Sequence, residues 1–215
     1  IGLTVAGAQI GWMPWLGLVF AAGLGIASLM PLAGRNLRRT PLAIYGMVLA
    51  HFGIAVSVVG MASESGFSRE LLVAMRPGDT AEIGDWRVSL DGVEPVLGPN
   101  WSAVQANVTL SHDGQSWAMT PQSRHFAMAG RETSEAALKT HNAGQFYAVI
   151  GERDGDRWQM RFWWKPLVTL IWIGGLLIAA GGALALFGRL LAAWRARRRD
   201  DDAWNDDERA EEVPV

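Results

Sequence analysis

The chain has no cysteine. It therefore forms no disulfide, offers no thiol nucleophile and supplies no thiolate to a metal; any sulfur chemistry it takes part in must use a partner's cysteines. Histidine is scarce as well: His51, His112, His125 and His141 are the four present. Charge is absent from three long stretches, residues 1–34, 40–63 and 166–188. No phosphate-cradling glycine loop, nucleophile elbow or metalloprotease helix occurs, and no basic patch interleaved with aromatics points to nucleic acid.

Each uncharged stretch is long enough to cross a bilayer core once, which takes about 20 apolar residues of helix. The first has no basic region ahead of it, and its apolar run is too long for the core of a signal peptide. Helices are expected over roughly Trp12–Met30, Leu42–Ala62 and from Pro166 to about Phe187. Pro41 and Pro166 suit the first turn of a helix, where a missing N–H costs nothing. Arg35, Arg38 and Arg39 follow the first stretch, and Arg189, Arg195, Arg197, Arg198 and Arg199 follow the third. By the positive-inside rule both segments are cytoplasmic, so the N-terminus and residues 63–165 lie outside. Trp12, Trp15, Trp163, Trp164 and Trp172 stand near the expected boundaries, where amphipathic rings anchor a helix.

The segment between the second and third helices reads as strands. Residues 80–90, 103–110, 115–119, 146–150 and 158–162 carry β-type runs, and Asp113-Gly114 and Asp154-Gly155 are turn signals. Ser134–Thr140 alone reads as helical, with Thr133 or Ser134 as its cap. The fold class is thus a membrane α-helical protein of three transmembrane helices with an inserted β-rich extracytoplasmic domain, a small barrel or sandwich. The divisions are 1–34, the first helix and its flanks; 35–41, a basic cytoplasmic loop; 42–62, the second helix; 63–165, the outer domain; 166–188, the third helix; and 189–215, a tail basic at first and then acidic. From Asp200 that tail is expected to be disordered.

His51 falls ten positions into the second helix, near mid-membrane at 1.5 Å per residue. A polar side chain there is costly and marks a functional position by default. Gly46, Ala50, Gly53, Ser57 and Gly60 share roughly 80° of the helical wheel, a seam of small residues for close packing. His51 lies about 140° round from the middle of that seam, beside Ile44, Val48, Ala55 and Val58. An imidazole so placed can ligate a haem iron, relay protons or bond a neighbouring helix. His112 is expected as an exposed turn residue, and His125 and His141 as surface residues, since their spacing fits no metal-ligand pattern. Asp113 and Glu135 read as turn and cap carboxylates, not an acid/base pair.

Several blocks resemble the C-terminal part of the CcmF family, the membrane haem lyase subunit of cytochrome c maturation. They are Arg39-Thr40-Pro41 leading into residues 46–53 around His51, the turn Gly98-Pro99-Asn100-Trp101, Thr133-Ser134-Glu135-Ala136-Ala137, residues 146–152, and Arg161–Val168 with Ile171–Gly175. Their order holds from about residue 2 to residue 188. A serine, Ser134, is inserted relative to the family's Thr-Glu-Ala-Ala pattern. The resemblance implies a section of an enzyme that attaches haem covalently to CxxCH cysteines of apocytochrome c outside the membrane. It implies as partners a haem chaperone and a thiol-redox protein that holds the apocytochrome. It implies a haem b in the membrane with two axial histidines on different helices, of which His51 matches one. The second histidine and the family's Trp-rich haem-handling loop belong to an N-terminal part, supplied by the remainder of the same protein or by a split subunit. Trp163-Trp164 does not stand for that loop and is expected as an interfacial anchor of the third helix.

Overall fold

A computed structural model describes residues 3–5, 8–128 and 130–211. Two short strands, β1 (Leu3–Val5) and β2 (Ala8–Ile10), pair antiparallel ahead of the first helix. The uncharged stretches then become helices: α1 (Trp12–Leu29), prolonged by a 3-10 turn over Met30–Leu32, and α2 (Leu42–Phe67). The strands β3 to β12 follow, and α3 (Thr169–Glu211) ends the described chain. Spans of 21, 26 and 31 residues in these helices are long and apolar enough to cross a membrane. The chain divides into two compact units: a helical one, Leu16–Val59 with Leu170–Val215, and a β one, Ile1–Trp15 with Gly60–Thr169.

Within the helical unit the small-residue seam of α2 packs on α3. A Cβ added at Gly53 would sit 2.7 Å from the Gly174 carbonyl oxygen, and one at Gly46 would overlap the Gly181 and Ala185 backbone. The seam is reciprocal: a Cβ at Gly181 would meet the Ala50 and Gly46 backbone, and one at Gly188 the Ala43 and Leu42 backbone. Glycines recur every seven residues on both helices, at 46, 53 and 60 and at 174, 181 and 188. Lipid tails give apolar helices no hydrophobic reason to associate, so such backbone-to-backbone approach supplies the attraction. The Ser57 hydroxyl adds a hydrogen bond to the Ile171 carbonyl at 3.3 Å. The opposite side of α2 meets α1, where Ala21, Ser28, Val48 and Ala55 are buried.

The β unit is two antiparallel sheets face to face. One has the order β10 (Ala137–His141), β11 (Gly144–Asp154), β12 (Arg157–Lys165), β3 (Arg69–Met75). The other runs β4 (Thr80–Ile83), β5 (Trp86–Leu97), β6 (Ser102–His112), β8 (Gln122–Phe126), β9 (Arg131–Glu135). In that sheet β7 (Gln115–Met119) also pairs with β6. Period-two alternation places Val88, Leu90, Ala106, Val108, Leu110, Phe146, Ala148, Ile150, Met160 and Phe162 between the sheets, all essentially inaccessible to solvent. The turn after β6 has both central residues left-handed, Asp113 at φ 47° and Gly114 at φ 74°, which matches the twist of a tight hairpin.

Three expectations are corrected. Ser134–Thr140 is not a helix: β9 and β10 are one extended run that bends at Ala136 and changes sheets. Pairing with β8 on one side and β11 on the other outweighs local helix propensity. Trp163 and Trp164 belong to β12, with Trp164 packed against the sandwich core, because the strand continues to Lys165 before the chain turns through Leu167 (φ 56°) into α3. The acidic tail is helical as far as Glu211, since no glycine or proline interrupts the run from Arg189 and an established helix propagates cheaply. The last four residues of that tail lie outside the described residues.

Candidate functional site

His51 stands on the side of α2 turned away from the glycine seam. Its Nδ1 lies 2.8 Å from the carbonyl oxygen of Met47, one turn back on the same helix. A carbonyl only accepts, so Nδ1 carries the proton and donates it there. Nε2 has no hydrogen-bond partner among the described residues. The ring is exposed on the surface of the chain. It borders a cleft of about 270 Å³ walled by Leu24, Ala27, Ser28 and Pro31 of α1 and its extension and by Met47 and Val48 of α2. Ser28 turns its hydroxyl inward to the Gly25 carbonyl at 2.7 Å, so the wall facing His51 stays apolar.

An imidazole whose Nδ1–H is fixed by a backbone carbonyl is the usual arrangement of a metal-ligating histidine, with Nε2 as the donor atom. Met47 thus does for His51 what an outer partner does in a built metal site. The structure brings no second ligand to it. Among the described residues no group of three histidine, aspartate or glutamate side chains is placed to hold a metal ion. His51 is thus an exposed, backbone-oriented imidazole beside an apolar cleft.

The β unit holds a cluster that sequence reasoning missed. His112 is not an exposed turn residue. It stacks on Trp86, with centroids 4.2 Å apart and planes 17° apart, and its side chain is 17% exposed. His141 meets the edge of Trp86 at 5.4 Å and lies 5.3 Å from His112. Trp117 and Trp164 complete the group, at 6.0 and 4.8 Å from Trp86. The reason is pairing: β6 and β7 form one hairpin, β10 and β11 another, and the sandwich superposes their turns. No linear spacing between residues 86, 112 and 141 announces this; the sequence shows only that the strands are rich in aromatics. His112 Nδ1 lies 3.1 Å from the Asp85 carbonyl, so the cluster joins the β4–β5 turn to the β6–β7 turn. His125, as expected, stays on the surface, 3.8 Å from Glu132.

Residues 66–166 match the family model described as the CcmF C-terminal beta-sandwich. Cytochrome c-type biogenesis protein CcmF of Escherichia coli strain K12 is 35% identical over 179 residues, which cover 81% of this chain and 28% of that protein. Cytochrome c-type biogenesis protein CycK of Bradyrhizobium diazoefficiens is 37% identical over 166 residues, covering 75% of this chain and 25% of that protein. A solved structure described as Cytochrome c Heme Lyase CcmF superposes with a TM-score of 0.65 at 20% identity, over 81% of this chain and 32% of that one. At that identity the superposition speaks for the fold. The chain thus spans about a quarter to a third of the length of the relatives it matches. With three membrane-length helices, this β-sandwich and these relatives, the chain is a multi-pass membrane protein that belongs to the CcmF family and corresponds to its C-terminal part.

Proposed function

We propose that this chain is the C-terminal section of a cytochrome c haem lyase, and that His51 is one axial ligand of a haem b held in the membrane. The observation that carries the reading is the His51 ring itself: a mid-helix imidazole with Nδ1–H committed to the Met47 carbonyl, lining an apolar cleft. The residues fit the group. One histidine is present, its tautomer is set, and the surroundings are low in polarity, which with axial-ligand type tunes a haem potential. When bound, a bis-imidazole haem supplies one-electron chemistry; the part played by this chain is to orient Nε2 and exclude water from one side. The second axial histidine comes from helices of the N-terminal remainder or of a split subunit. Haem attachment to CxxCH cysteines then takes place in the whole assembly, with a haem chaperone and a thiol-redox protein that holds apocytochrome c as partners. In this reading the β unit and the N-terminus are periplasmic and the C-terminus is cytoplasmic in a bacterial inner membrane, as the Arg35–Arg39 and Arg189–Arg199 groups favour.

A second reading, a non-enzymatic docking module for cytochrome c assembly, draws on the far turn of the β5–β6 hairpin. Leu97 there is 84% exposed, and Met128 in the loop after β8 is 100% exposed. The two readings separate on His51→Ala in the complete assembly. The lyase reading expects loss of the b-type reduced-minus-oxidised spectrum and of cytochrome c maturation, with the protein still present in membranes. Unchanged haem content and maturation would overturn the ligand assignment and leave the docking reading.

A further inference from the structure

The two sheets part company along one side of the sandwich. The extended run that forms β9 and β10 leaves the six-stranded sheet at Ala136 and joins β11 in the other, where the pairing stops at Ala137 opposite Ala148. No strand among the described residues pairs with the outer edge of β9, and none pairs with β11 past Ala148 on its β10 side. These two open edges border the same cleft of about 670 Å³. Its inner wall is apolar, with Val104, Ile150 and Trp158 continuing the sandwich core. The Thr133 hydroxyl, buried in its lining, has no hydrogen-bond partner among the described residues. Between Ile150 and Arg153, along the cleft lining, the β11–β12 register shifts, an irregularity of the β-bulge kind.

Open backbone edges are templates for another strand. A short, charged edge such as β9 is ordinarily protected against pairing, and that accounts for Arg131, Glu132 and Glu135 pointing to solvent. It does not account for a second open edge facing the first, an apolar wall between them, or a buried hydroxyl left unpaired. From this juxtaposition we infer that the cleft takes an extended polypeptide segment, which adds to β9 as a strand with alternate apolar side chains turned inward. Main-chain N–H and C=O groups satisfy the open edge, and side chains at every second position meet Val104, Ile150 and Trp158. Charge sets the outward positions. Glu132 and Glu152 are exposed at the rim against one cation in the lining, Arg153, whose guanidinium donates to the Gly155 carbonyl at 2.9 Å, so acidic charge outnumbers basic there. A segment with basic outward residues is therefore favoured over an acidic one.

The inference is independent of the haem reading, and His51→Ala leaves it untouched. It is tested on the full chain in detergent micelles with the hexapeptide Lys-Val-Lys-Val-Lys-Val and with the same peptide N-methylated at alternate amides. Hydrogen exchange of the backbone amides in Arg131–Glu135 and Val149–Asp154 is the readout. The expected result is exchange slowed at least about tenfold by the first peptide and unchanged by the second, whose edge cannot pair. Equal protection by both peptides, or none by either at saturation, overturns strand addition. A double variant, Glu132→Lys with Glu152→Lys, alters only exposed side chains. It should weaken the basic peptide at least about threefold at low salt, and unchanged affinity overturns the charge assignment.

Discussion

His51 and Phe146 show how differently single residues act in the two units. His51 contributes little to packing, since its ring is exposed on the chain's own surface and its one hydrogen bond stays within α2. Its substitution by alanine should leave the helix intact and remove the proposed ligand, so the spectroscopic loss and normal protein levels belong together. Phe146 is the reverse case. It is wholly buried between the sheets, against Trp86 and Phe162. Phe146→Ala removes its apolar surface and leaves a cavity, a loss of about 3–5 kcal/mol for such a site. Near-ultraviolet circular dichroism of the full chain through a denaturant titration should show the β unit unfolding at clearly lower denaturant. A midpoint close to that of the parent chain would show that the aromatic core is not as tightly packed as its burial states.

At the level of elements, the α2–α3 seam depends on the absence of side chains. Both Gly53 and Gly181 face backbone atoms of the opposite helix, which cannot move aside as a flexible side chain can. Gly181→Leu should therefore force the helices apart and cost at least about 1 kcal/mol of association, the scale of a packed membrane contact. Gly175→Leu on the same helix is the control, because a Cβ at Gly175 meets nothing within 4 Å. Steric-trap or thermal unfolding in micelles should separate the two variants; equal stability would mean that the seam carries none of the helix association. The β9–β10 run makes a different point about elements. Residues 133–140 include Glu135, Ala136, Ala137, Leu138 and Lys139, all good helix formers, yet they are extended because two sheets compete for their backbone groups. Local preference is worth tenths of a kcal/mol per residue, and ladder pairing on both sides of the corner exceeds it.

For the whole molecule, the proposed orientation is open to direct measurement because the chain lacks cysteine. The single-cysteine variant Asp156→Cys, in the turn between β11 and β12, should react with a membrane-impermeant maleimide added outside the cytoplasmic membrane. The single-cysteine variant Ala196→Cys, within the arginine group of α3, should react only after the membrane is opened. The opposite pattern would reverse the topology, and with it the side of the membrane on which the β unit lies.

Much of this organisation is determined by composition. Uncharged runs of membrane length, arginine groups at two of their ends and Pro41 directly ahead of α2 define three spans, because a bilayer tolerates unpaired polar groups and charges so poorly that few alternatives exist; Pro166, expected in the first turn of the third helix, instead lies in the turn before α3 begins at Thr169. The hairpin Val108–His112 with Gln115–Met119 is equally legible, since Asp113-Gly114 has the residues that a left-handed turn requires. His51 is legible as a costly residue, and its position opposite the glycine seam follows from helical geometry. Only the tertiary structure decided the rest. That Nδ1 of His51 is committed to Met47, that His112 and His141 meet on Trp86, and that β9 and β11 open onto one cleft depend on which strands pair and how neighbouring helices pack. Those pairings link residues tens of positions apart, and no local period in the sequence encodes them.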